Sequence, residues 1–353
     1  MKKSAVYDAP HMVLSNEYGH LFLTGDGNKC HEQHLGIVRI DAFVAKKWID
    51  QIIEMENIAK GTNSLFCFLT APDKQSIYWE TLCDKEDNRN IKKIFDGLNS
   101  TIYHDPLQEI IDSNLAKEFD VYPKVDSHWC SIGAIVALQG ILKKMGENFD
   151  LLSVINSCED NSIGGDLGIK TTPRTLGVAR DLKSSLWKSL LIYDNSVPDN
   201  GRIRLFENSN ALVKEKILFV GDSFSYKLAD IASQIFQSVF HFHGQFIDKE
   251  CLRIIHPKYF IFEQTERFFI KEPKYSLDES FFQILEDKVK SNVEVKNFLN
   301  NCRVTPKNDI SLNVDQLLII DLSESYLQKL DLLEQKYSSK KLELFLQTVK
   351  KIY

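Results

Sequence analysis

Two short stretches far apart in the chain carry residue types that do chemistry together. One is Asp126-Ser-His-Trp129 and the other is Gly221-Asp-Ser-Phe-Ser225. A serine hydroxyl is a weak nucleophile until a base takes its proton, and an imidazole base needs a partner that fixes its tautomer. Ser223 supplies the hydroxyl, His128 the base and Asp126 the partner. Asp126 and His128 are two positions apart, so on an extended segment their side chains leave on the same side. Each stretch also has a plainer reading. Asp126 caps the helix that begins near Ser131, and Asp222 or Ser223 caps the helix that follows. It is the conjunction of the two stretches that points to acyl transfer through a serine.

The elements around Ser223 must hold it where a substrate can reach. Ile217 to Val220 is an apolar run of the kind buried inside a parallel sheet. Gly221 breaks the run, and helical spacing begins at Tyr226. A serine at such a turn lies at the carboxyl edge of the sheet, where open α/β proteins bind their ligands. It also lies beside the unpaired N–H groups of a helix start, which stabilise a developing oxyanion. The Ser223 N–H is the first such donor, and Tyr226, Lys74 and Gln75 are candidates for the second.

Further strands are expected at Leu21–Thr24, Ser64–Thr70, Ile102–Tyr103, Val239–His243 and Tyr259–Glu263, and helices at Asp41–Lys60, Pro106–Phe119, Ser131–Met145 and Asp248–His256. This alternation predicts an α/β fold with a doubly wound parallel sheet. Residues 147–210 show no helical or strand period, and Glu159 to Ser162 is simply polar. Gly164-Gly-Asp-Leu-Gly168 and Thr171-Thr-Pro-Arg174 are turn-rich, without the spacing of a P-loop or a dinucleotide fingerprint. This long insertion before the serine strand is expected to shape an acceptor groove.

These motifs resemble the SGNH-hydrolase-like domain of the alginate O-acetyltransferase family (the AlgX/AlgJ type), in which Asp-x-His precedes the serine. The resemblance runs from about residue 15 to residue 270 and rests on short matches in order. Tyr18-Gly-His-Leu-Phe-Leu-Thr-Gly-Asp26 echoes the family's opening segment, with His20 where that family has Trp. Leu69-Thr-Ala-Pro-Asp-Lys74 resembles its Pro-Asp-Lys, and Asp126 to Ala134 its Asp-x-His-Trp run. Gly165-Asp-Leu167 resembles its Gly-Asp-Leu, and Glu263-Gln-Thr-Glu-Arg267 its Glu-x-x-Glu-Arg. The resemblance implies an SGNH-hydrolase-like catalytic domain over residues 1–270. It implies O-acetylation of a bacterial surface polysaccharide or its precursor through a Ser223–His128–Asp126 acyl-enzyme. A carbohydrate esterase with the same triad, and a non-catalytic glycan-binding assembly protein, are the alternatives.

Four more residues are expected to contact substrate. They are Lys74 (otherwise part of a helix start behind Pro72), Tyr226, Trp129 and Arg267 (otherwise in an ordinary ion pair with Glu266). Cys30, His31 and His34 cluster without a second ligand pair of zinc spacing, so no metal is expected. No cofactor is expected to stay bound; an acyl donor is required, and acetyl-coenzyme A is the candidate. Residues 271–353 read as a smaller, mostly helical accessory region, with helices at 278–299 and toward Tyr353 and a strand at 316–322, suited to docking a partner protein.

Composition narrows the classes. With 353 residues, 43 % of them hydrophobic, the chain can bury one large core or two smaller ones. A net charge of −6 and scattered lysines argue against general nucleic-acid binding. No apolar run is long enough to span a membrane. The basic start at Lys2-Lys3 lacks the apolar core of a signal peptide. Seven scattered cysteines with no Cys-x-x-Cys suggest reduced, cytoplasmic usage. The resemblance leaves the periplasm open.

Overall fold

The computed structural model describes residues 4–274 apart from 9–10, 17, 79–88, 196 and 198, together with Phe281 and Ile319. The strands in chain order are β1 (Ser4–Asp8), β2 (His11–Ser15), β3 (Leu21–Leu23), β4 (Leu65–Ala71), β5 (Tyr103–His104) and β6 (Cys158–Ile163), then β7 (Gly177–Leu182), β8 (Leu191–Asp194), β9 (Ile203–Glu207), β10 (Val213–Gly221), β11 (Phe236–His243) and β12 (Tyr259–Thr265). Seven of them form the central sheet in the order β5-β4-β12-β10-β11-β9-β8. From β5 to β11 the strands are parallel. β9 then runs antiparallel to β11, and β8 antiparallel to β9. The expected α/β sheet is present, mostly parallel, with an antiparallel hairpin at one edge.

The central strands read as continuous apolar runs because both faces are covered. Phe68, Leu218, Val220, Phe240, Phe242, Phe260 and Phe262 fill one face, under the helices Ala42–Gly61 and Lys249–Ile255. Cys67, Leu69, Ile217, Phe219, Val239, Tyr259 and Ile261 fill the other, under Ser131–Lys144 and Ser225–Ala232. Phe281 and Ile319 are buried in the first of these clusters, and the Phe281 ring meets Phe242 edge-on at 4.9 Å. The other expected elements of residues 271–353 lie outside the described residues.

Two sequence expectations change. The stretch expected to lack regular structure contains the hairpin β6–β7, paired in register from Cys158↔Leu182 to Ile163↔Gly177, and the edge hairpin β8–β9. β6 exposes Glu159 and Asp160 and buries little, so it carries no apolar period. In β9, Ile203 to Phe206 are all buried, which removes the alternation. The helix expected over Pro106–Phe119 is two helices, Leu107–Asp112 and Asn114–Glu118. The break is at Ser113, which is extended, and its hydroxyl accepts the Ala116 N–H at 3.0 Å as a cap.

Gly221 ends β10 where β12 comes very close. A Cβ there would stand 2.6 Å from Glu263 Oε2 and 2.8 Å from the Glu263 carbonyl oxygen. Gly221→Ala is therefore expected to cost about 1–3 kcal/mol, the usual penalty of overpacking. Urea unfolding measures it, and a loss under about 0.5 kcal/mol would mean that the end of β12 yields freely.

Candidate active site

β4, β10, β11 and β12 are parallel, so their carboxyl ends share one edge of the sheet. Each end opens into a polar loop. The loop after β10 holds Ser223, and its shape is set by Asp222. One carboxylate oxygen of Asp222 accepts the Phe224 N–H at 2.9 Å. The other accepts the Thr265 N–H at 2.7 Å and the Gln264 amide at 2.8 Å. Asp222 thus ties the serine turn to the end of β12. Burial, reinforced by the Asp222 carboxylate, pushes the neighbouring Glu263 well above the usual carboxyl range.

Residues 123–128 form no regular element, yet every carbonyl from 123 to 126 is bonded. The Lys74 ammonium donates to the carbonyls of Pro123 (2.6 Å), Lys124 (3.0 Å) and Asp126 (2.9 Å). The Leu21 N–H also donates to Lys124. The N–H groups of Leu167 and Gly168 donate to the Val125 carbonyl at 3.1 and 2.9 Å. The Asp166 carboxylate takes both the N–H and the hydroxyl of Ser127, each at 2.7 Å. Gly165 permits this approach. It has a φ of +58°, and a Cβ there would lie 2.1 Å from the Val125 carbonyl oxygen.

The loop presents Asp126 and His128 to Ser223. Asp126 Oδ1 accepts the His128 backbone N–H at 2.8 Å and lies 2.9 Å from His128 Nδ1. His128 Nε2 lies 2.9 Å from Ser223 Oγ. This is the hydrogen-bonded order of a nucleophile, a base and an orienting carboxylate. Burial opposes the charge on Asp126, but the hydrogen bonds and charge of His128 outweigh it and hold the carboxyl well below its usual range. The His128 side chain is 34 % exposed, open enough for a donor to reach it. The helix-capping alternative for Asp126 is not realised. The first N–H of the helix, that of Ser131, goes to Asp181 of β7 at 2.9 Å instead.

Ser223, His128 and Asp126 line a cleft of about 370 Å³, with Trp129, Tyr226 and Lys227 beside them. Ile163, Gly165, Ala179 and Asp181 complete the wall, so the insertion expected to shape a groove lines this cleft, part of it through the hairpin β6–β7. Lys227 reaches Asp181 at 2.8 Å. Sequence reasoning did not single out Asp181 or Lys227, and no local pattern marks either. Asp166 lay in a segment noted for its glycines and its Gly-Asp-Leu resemblance, with no role given to the carboxylate.

The other expected contacts fall differently. Lys74 is 1 % exposed and committed to the three carbonyls, so it positions the base loop and does not reach the cleft. Burial pushes its ammonium down to about 7, against the pull of Asp126, Asp166 and Asp120. Gln75 donates to the Leu23 carbonyl at 2.8 Å. Arg267 is buried and pairs with Asp73 at 2.9 Å, not with Glu266, which pairs with Arg89 at 2.5 Å. Trp129 lines the cleft but is nearly all buried, and its indole N–H donates to the Phe224 carbonyl at 3.0 Å, joining the two loops. Tyr226 is half-buried on the cleft, with its hydroxyl 3.0 Å from His243 Nδ1. The His20 ring lies against that of Tyr78, with centroids 4.3 Å apart and the planes tilted by 30°.

Cys30, His31 and His34 lie on the short helix Cys30–His34, with Cys30 buried. Among the described residues, the acidic and imidazole groups that gather are Asp126, His128 and Asp166. Asp126 Oδ1 is engaged with His128 and both Asp166 oxygens with Ser127. The described cysteines are free and buried. Among the described residues no helix is long and apolar enough to cross a membrane.

Comparison with solved structures finds the fold elsewhere. Bacillus cereus PatB1, in a structure with a sulfonyl adduct, superposes with a TM-score of 0.52 at 13 % identity, over 77 % of this chain and 100 % of its own. A DHHW family protein from Eubacterium siraeum DSM 15702 gives 0.53 at 12 % identity, over 77 % and 96 %. The O-acetyltransferase domain of Pseudomonas putida AlgJ gives 0.46 at 13 % identity, over 75 % and 96 %. The chain has the fold of PatB1 and the DHHW family protein. No family model matches the sequence, and no curated protein matches it.

Two outcomes follow from the loop geometry. Lys74→Met removes a donor shared by three carbonyls, leaving those of Pro123 and Lys124 only the N–H groups of Asp126 and Leu21, and is expected to cost about 3–5 kcal/mol of stability, with ester cleavage reduced at least about tenfold in the folded fraction. Unchanged cleavage per folded molecule would show that the base loop holds its shape without Lys74. Asp126, held well below the usual carboxyl range by His128, is expected to stay ionised and to add no proton to the acid limb of the pH–rate profile. An acid limb of slope two would contradict that assignment.

Proposed function

We propose that this protein is a serine acyltransferase that moves an acetyl group to a hydroxyl of a bacterial surface polysaccharide or its precursor. The observation that carries the reading is the continuous chain Asp126–His128–Ser223, with 2.9 Å at each link, opening into a cleft. The fold shared with PatB1, whose structure holds a sulfonyl adduct, supports it, as do the sequence motifs and their order.

The steps balance without any further reactant. Ser223 Oγ bonds to the acyl carbon of the donor as His128 Nε2 takes the serine proton. The bond from acyl carbon to leaving oxygen or sulfur breaks, and His128 gives that group the proton. An acceptor hydroxyl then passes its proton to His128 and attacks the acyl-serine, and Ser223 leaves with the proton restored. The backbone N–H of Ser223 is the first oxyanion donor. Asp126 keeps the Nε2 lone pair of His128 toward Ser223 and stabilises the imidazolium. Acetyl-coenzyme A is the donor to try first, and the cytoplasm is the compartment in which it would be met.

The test is p-nitrophenyl acetate with and without sugar oligomers, comparing wild type with Ser223→Ala and Asp126→Asn. Both variants are expected to lose roughly 10³-fold or more in acetyl release. An acetylated sugar in the mass spectrum supports the transferase. Acetyl release to water alone, with every oligomer unmodified, supports the esterase. Equal release by wild type and Ser223→Ala removes the triad and leaves a glycan-binding role.

A further inference from the structure

Ser223 also borders a second cavity, of about 240 Å³, which neither His128 nor Asp126 lines. In acyl transfer through a serine and a histidine, the leaving group and the incoming hydroxyl both exchange a proton with His128 Nε2. Both therefore belong in the cleft that His128 lines. Two substituents of the acyl carbon remain: the developing oxyanion, which the Ser223 N–H takes, and the acyl chain, for which this second cavity at Ser223 offers space.

Its lining is polar. Asn200, His243, Gln245 and Gln264 present amide and imidazole groups, and Phe268 contributes one aromatic ring. Gln245 is held at two points. Its side-chain oxygen accepts the Lys274 N–H at 3.0 Å, and its carbonyl accepts the Gln51 amide at 2.6 Å. This orders the side chain and leaves its amide N–H groups uncommitted among the described residues. Gln264 is 1 % exposed and fixed by its donation to Asp222 at 2.8 Å. Its Oε1 is buried with no hydrogen-bond partner among the described residues. That oxygen is enclosed by its own surroundings, so the groups left for a ligand hydroxyl are the amide N–H groups of Gln245. The methyl of an acetyl group would meet neither amide and would leave most of the space to water.

We propose that this cavity is the acyl pocket and that it selects a short hydroxyacyl group over an unsubstituted acyl group of the same length. The smaller acetyl group still fits. The inference rests on the acyl-enzyme reading above and extends it to the acyl group. The bond made is from Ser223 Oγ to the hydroxyacyl carbon, and the bond broken is the donor ester, with the serine proton passing through His128 to the leaving group.

The test uses p-nitrophenyl acetate, butyrate and 3-hydroxybutyrate, which share one leaving group. It follows p-nitrophenolate release and the intact-protein mass. The 3-hydroxybutyryl ester is expected to acylate Ser223 about five- to tenfold faster than the butyryl ester, the worth of one hydrogen bond. Gln245→Ala is expected to abolish that preference. Asn200→Ala, at a half-buried rim position, gives the same readout if Gln245→Ala does not fold. Equal rates for the two four-carbon esters in wild type overturn the inference while leaving the acyl-enzyme intact, and so does a preference unchanged in both variants. If no ester of any length adds mass to Ser223, the acyl-enzyme reading fails and this inference fails with it.

Discussion

A single buried ammonium, that of Lys74, holds the backbone from which Asp126 and His128 project. Withdrawing a charged amine from water costs several kcal/mol. Three charge-assisted hydrogen bonds to carbonyls, each worth about 1.5–3 kcal/mol, are of the size needed to offset that. Lys74 therefore adds little net stability when intact. What it supplies is geometry, because Pro123, Lys124 and Asp126 can point their carbonyls inward only around a donor with three N–H groups. The glycine-rich segment grips the same loop through Val125 and Ser127. With every carbonyl from 123 to 126 bonded, a loop without secondary structure is as constrained as a strand.

The serine turn needs the same precision and gets it from different partners. Asp222 joins it to β12, and the bond from Trp129 to Phe224 joins it to the base loop. Behind β4 and β12, Asp73–Arg267 and Glu266–Arg89–Asp105 form a buried network that brackets the base of both loops. Such pairs contribute little net stability, since desolvation offsets most of their attraction. Their effect is on register. They fix the ends of β4 and β12 relative to each other; the Ser223 turn is tied to the end of β12 through Asp222, and the loop that carries His128 is tied to Lys74 just after β4.

How much of this was legible in the sequence depended on whether each signal was local. The buried strands at 66–69, 217–220 and 260–262 were legible because a two-sided apolar run has no other economical reading in an α/β chain. Asp126 and His128 were legible because a two-residue spacing is itself a geometry. Lys74 was misread because its partners are backbone carbonyls some fifty positions away, and main-chain acceptors carry no sequence identity. Arg267 was given Glu266 as a partner by proximity in sequence, whereas the sheet brings Asp73 to it. β6 and β7 were missed because their buried residues, Cys158, Ala179 and Leu182, are too few and too unevenly spaced to impress a period.

That missed ribbon bears directly on whether water or a sugar takes the acyl group. β6 and β7 bring Ile163, Ala179 and Asp181 over the triad, but the site stays open, with His128 a third exposed. A site this open does not succeed as a transferase by sealing water out. It succeeds only by holding the acceptor in line. A hydroxyl fixed beside an acyl group reaches effective molarities of about 10⁵ M and above, far beyond the concentration of bulk water. An acceptor aligned between the hairpin and His128 therefore outcompetes water without a lid, whereas a cleft that binds sugar out of line yields only an esterase. The residues deciding between these outcomes are then those of the hairpin wall, Asp181 with its partner Lys227 above all, since the triad chemistry is the same in both.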